Sequence, residues 1–270
     1  MRGVDNKIGF KVKTKYGWEG VVTSFSNGGY SVLWQDGEVT NGHSWGEVKA
    51  GRVKPRNQPI ICGKGFIGKG EYITSEKYRK NDKELVLVGG EYLLWVSMLK
   101  RVYSDCKSRQ TDAYLDATCY EGWHNLQEFS KWCNLNRWFN AKDDNGIKYE
   151  LDKDILKAGN KRYCPELCVF IPKEINNFIT PKRRGVKLPE NRFGSYKSGK
   201  TFQSQCSNPF TGKLESLGRF ATPELAEEAF FKKKDEIAKE LADKWVGRVD
   251  ERVIYTLSNM NSREYYYVQE

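Results

Sequence analysis

The sequence predicts an α+β, multidomain protein: a small N-terminal β-barrel, a central strand, turn and helix unit with flanking helices, and a C-terminal three-stranded sheet plus helix. Three observations carry this. The chain has 270 residues, more than one domain usually holds. Its patterning moves from short β-rich runs between turn residues to helical spacing and back again. Its basic excess is concentrated between Lys182 and Arg219. The expected boundaries are 1–57 for the barrel, 58–90 for a Gly-rich and charged linker, 91–178 for the central domain, 179–191 for a basic linker, 192–247 for the sheet-plus-helix domain and 248–270 for a tail.

Hydrophobic residues at 39% and aromatics at 13% supply apolar surface for packed cores. Lys and Arg number 45 against 35 Asp and Glu, a formal net charge of +10, which favours a polyanionic partner. Between Lys182 and Arg219 nine basic residues stand against only Glu190 and Glu215. The excess is local, as a binding face would make it, although a solvated surface can also be charged. Seven cysteines without a CxxC pair, and only two histidines, point to free thiols in a reducing compartment and away from a zinc site. No apolar run approaches the ~20 residues of a membrane span, so a cytoplasmic location and no membrane partner are expected. Protein partners are left unassigned.

The first 57 residues read as short strands, with Asn27-Gly28-Gly29, Asp36-Gly37 and Asn41-Gly42 as hairpin turns and EVKAGRVKP as the closing strand. The pattern resembles five-stranded barrels of the Tudor and KOW type. Gly63, Gly65 and Gly68 match G-x-G-x-x-G but lack a βαβ context, so they read as a linker or kinked strand. Leu94, Trp95, Met98, Leu99 and Val102 mark one amphipathic helix, and His124 to Phe139 a second. These aromatic stripes are expected to form core, against the unit at Tyr149 to Pro172.

That unit, YELDKDILKAGNKRYCPELCVFIP, reads as a strand carrying carboxylates, a Gly-Asn turn and a helix begun by Pro165. Together with the run from Trp95 to Arg101, Glu121-Gly122-Trp123 and EINN, it resembles phage-encoded proteins of the HNH homing endonuclease-like kind, over about residues 60 to 245. The resemblance implies an acidic residue and an Asn on a divalent ion, with a His as general base on water. Asp152 then falls at the acidic metal position, Asp154 beside it on the same strand face, and Asn160 is the amide in the turn. The implied ion is Mg2+ or Mn2+. The His position falls on Lys153, a poor base near neutral pH, and His124 is the candidate to stand in. The implied function is double-stranded DNA binding with metal-dependent nicking or cleavage, in the cytoplasm of an infected bacterial host. The departure at Lys153 keeps open a catalytically inactive clamp or regulator, in which Asp152 and Asp154 only pin the hairpin.

From Arg192 to Trp245 three short strands precede a helix that Thr222 caps and Pro223 opens, with Leu225, Ala229, Ile237, Leu241 and Trp245 in a four-residue step. The run LGRFATPELAEEAF resembles the plant ethylene-response-factor (APETALA-like) DNA-binding domain, which lays its sheet in the major groove. Strand alternation sets Phe202, Ser204 and Cys206 on the helix side if Gln203, Gln205 and Ser207 face the groove. Gln203 and Gln205 are the expected base readers. Tyr196, Lys197, Lys200, Lys213, Ser216 and Arg219 are expected on phosphates, with Arg183, Arg184 and Arg192 on the basic arm. The tail from Val249 is expected to hold a short helix and a frayed end.

Overall fold

Turn residues organise the N-terminal sheet. Asn27 and Gly28 both take positive φ, 50° and 80°, as a type I′ turn requires, and join β2 (Glu19–Ser26) to β3 (Gly29–Trp34). With β1 (Lys11–Lys13) and β4 (Val39–His43) they form an antiparallel sheet in the order β1-β2-β3-β4. The computed structural model describes residues 7–80, 83–103, 116–180 and 193–269, and among these no barrel closes. The expected closing strand begins instead inside a helix, α1 (Trp45–Lys49). Ser44 accepts from Glu47 N while Glu47 accepts from Ser44 N, a reciprocal cap that favours helix over the β pattern. Val12, Val22, Val32, Trp34 and Val48 form the core beneath.

The structure divides into two units, Met1–Leu135 and Asn136–Glu270. The rest of the first unit holds β5 (Ser75–Lys80) paired with β6 (Lys83–Val88), then α2 (Gly90–Tyr103), β7 (Thr118–Cys119) and α3 (Leu126–Leu135). The predicted helix from His124 is thus shorter at both ends. The two aromatic stripes meet each other within this unit: Trp95, Met98, Leu99, Trp123 and Phe129 are all buried, and Trp95 Nε1 donates to Trp123 O at 2.7 Å. The G-x-G-x-x-G stretch serves packing. A Cβ on Gly65 would stand 2.4 Å from Leu99 Cδ1 and 2.8 Å from the Trp95 ring.

In the second unit β8 (Glu150–Asp152) pairs antiparallel with β10 (Val169–Ile171), and β9 (Arg162–Tyr163) lies in the connection between them. The Gly159-Asn160-Lys161 turn therefore precedes the strand that pairs with β8. The helix expected from Pro165 is one turn, Cys168 N to Cys164 O at 3.0 Å. It stops because Val169, Phe170 and Ile171 are taken into the ladder with β8. The helix follows them as α4 (Lys173–Ile179).

The C-terminal elements are β11 (Ser195–Ser198), β12 (Thr201–Ser207), β13 (Leu214–Phe220) and the 23-residue α5 (Pro223–Trp245). They belong to the same unit as β8 to α4. Trp245 Nε1 and Lys244 Nζ both donate to Glu174, each at 2.8 Å to Oε2, and Lys234 Nζ donates to Phe178 O. The four-residue step along α5 holds for Ile237, Leu241 and Trp245, but Leu225 is exposed and Ala226 and Phe230 are buried instead. A four-residue step overshoots a 3.6-residue turn by about 40°, so three steps carry Leu225 roughly 120° off the buried face. The tail forms α6 (Glu251–Ser258) and α7 (Ser262–Val268), with Val253, Leu257, Tyr265 and Tyr266 buried. Among the described residues no helix is long and apolar enough to cross a membrane.

Candidate nucleic-acid interface

Two places hold most of the expected site residues, both in the second unit. The first is the loop that leaves β8. Asp152 is buried at the strand end, and its Oδ1 accepts the backbone N–H groups of Asp154 (2.9 Å) and Ile155 (2.7 Å). Burial pushes its carboxyl up to about 6, with Asp154 adding repulsion and the two backbone donors opposing. Lys153 is buried as well, and its ammonium donates to Asp154 Oδ1 (2.6 Å) and Asn160 O (2.7 Å). Asn160 spends its whole amide on the backbone: Nδ2 donates to Lys153 O and Arg162 O, and Oδ1 accepts from Arg162 N. Tyr265 Oη donates to Asp154 O at 3.1 Å from α7. Burial, reinforced by Asp152 and Asp154, holds its hydroxyl well above the usual phenol range.

The oxygen donors here are partly committed within the protein. Asp154 Oδ1 is paired to an internal ammonium, both amide atoms of Asn160 bond the backbone, and Asp152 Oδ1 braces a turn. Among the described residues no group of three His, Cys, Asp or Glu could hold a metal. His124 lies in the first unit with Nε2 2.8 Å from Tyr103 Oη, and burial, followed by Lys64, lowers its pKa. Hydrogen bonds among Asp152, Lys153, Asp154 and Asn160 knot the loop to the hairpin.

The second place is the β11-β12-β13 sheet. Its register sets Tyr196 opposite Gln203 and Gln203 opposite Arg219, in one row across all three strands. Buried Ser204 and Cys206 point to the α5 side, so this row faces out by alternation. Gln205 pairs with Ser216 and Ser207 with Leu214 on the same outward face, after a bulge that follows Ser204. Gln203, Gln205 and Ser207 thus share one parity on β12, opposite to that of Ser204 and Cys206. Lys197 does not join them, for it pairs with Phe202, which pairs with Phe220, in the row on the opposite parity. Lys200 and Lys213 are exposed at the β11–β12 and β12–β13 connections, on the rim. Arg183, Arg184 and Arg192 lie outside the described residues.

Within the outward row the side chains are linked. Gln203 donates through its amide nitrogen to Tyr196 Oη at 2.6 Å, and its amide oxygen accepts from Arg219 Nε (3.0 Å) and Nη2 (3.2 Å), the orientation that satisfies all three groups. Arg219 remains exposed. Residue identity alone did not disclose this relay. Counting outward from the Ser198-Gly199 turn gives the Tyr196 to Gln203 pairing, but the bulge offsets the rest of β13 and only the fold supplies it.

Comparison of the chain with protein-family models, with characterised proteins and with solved structures gives no match.

Proposed function

We propose that the protein binds double-stranded DNA through the outward face of the β11-β12-β13 sheet, acting as a clamp or regulator of DNA transactions. The observation that carries this reading is the ordered row of Tyr196, Gln203 and Arg219, flanked by Gln205, Ser207 and Ser216 and rimmed by Lys200 and Lys213. A B-form major groove admits β structure, and hydrogen-bonding side chains on such a face meet base edges while lysines on its rim meet phosphates. The net charge of +10 favours the same partner. The nicking activity implied by the homing-nuclease resemblance draws no support from the donor set around Asp152, so no hydrolytic step is assigned.

Binding of a duplex of mixed sequence, followed by fluorescence anisotropy across a salt series, tests the reading. If the face and its rim meet about six phosphates, affinity falls by about 10³ between about 50 and 200 mM salt. A flat salt response, or tighter binding to single-stranded RNA than to duplex DNA, overturns it.

A further inference from the structure

Resting on that reading, the geometry of the outward row points to a division of labour: we propose that Arg219 reads a guanine, and that Gln203, braced by Tyr196, is the positioning residue that aims it. A guanidinium carries five N–H donors in a rigid fork. Gln203 takes Nε and one hydrogen of Nη2 at 3.0 and 3.2 Å. Among the described residues the edge formed by Nη1 and the other Nη2 hydrogen has no partner, and its two parallel donors match the O6 and N7 acceptors of guanine.

The row also removes Gln203 from direct readout. A glutamine reads adenine with one donor and one acceptor, and here both ends of the amide are engaged by neighbours on adjoining strands. The relay costs Arg219 little freedom on binding, because its fork is already held before DNA arrives. Arg219 is exposed and shares its row with no core residue, so substitution there leaves the helix-facing packing intact.

Selection of bound sites from random duplexes with the full chain tests the inference. The wild type is expected to enrich guanine at one fixed position. Arg219→Lys keeps the charge but loses the fork, and is expected to cut the guanine preference at that position about tenfold or more, with the salt response retained. Gln203→Leu is expected to weaken the same preference, and Gln203→Glu, which keeps an acceptor for the guanidinium, to restore it. Adenine at that position in the wild type, or guanine preference unchanged in Arg219→Lys, overturns the inference while duplex binding itself stands. Absence of any duplex binding by the wild type overturns both readings.

Discussion

Asp152 joins a type and spacing readable in the sequence to a setting that only the fold supplies. Its type and its spacing from Asp154 are readable in the sequence, whereas its burial and its two backbone donors come from the folded loop. Its folded carboxyl sits near 6 and its ordinary value is 3.8, so between those values the folded chain holds the proton more tightly than the unfolded one. The carboxyl therefore costs stability as pH rises from about 4 to 6, by up to about 3 kcal/mol in total, and the cost is constant above. Asp152→Asn keeps the Oδ1 acceptor and removes the charge. In urea denaturation the variant is expected to gain on the wild type through that window and to track it below pH 4. Parallel curves across the range would contradict the burial of the charged form.

Elements carried their own signals where the physics is local. Thr222 and Pro223 announce α5, and Thr222 Oγ1 does accept from Leu225 N at 3.4 Å; Thr222→Ala is expected to lower unfolding free energy by about 1 kcal/mol, measured by urea titration. Asn27-Gly28 announces its hairpin for the same reason: few residues tolerate φ above zero. The errors arose where two local preferences competed. Val48 and Val53 suit a strand, yet the Ser44 and Glu47 cap made the stretch helical. Pro165 suits a helix start, yet the pairing of β10 with β8 ended the turn after Cys168.

At the scale of the whole molecule, the tail illustrates what sequence separation hides. Val253, Leu257, Tyr265 and Tyr266 are buried in the second unit, and Tyr266 Oη donates to Phe178 O. A chain ended after Val249 is expected to lose on the order of 10 °C or more in thermal midpoint, followed by circular dichroism; an unchanged midpoint would make the tail dispensable. By itself the sequence determined the β, helical and β-plus-helix order, the Asn27-Gly28 turn, the Thr222 cap and the local basic excess. Each of these depends on neighbours within a few residues. Only the tertiary structure decided that Asn160 is spent on backbone, that Lys153 is buried against Asp154, that Gln203 holds Arg219 and that the last helices complete a core. Those outcomes rest on groups brought together across the chain, Tyr265 reaching Asp154 over 111 residues, and no local preference encodes which distant partner satisfies a buried polar group.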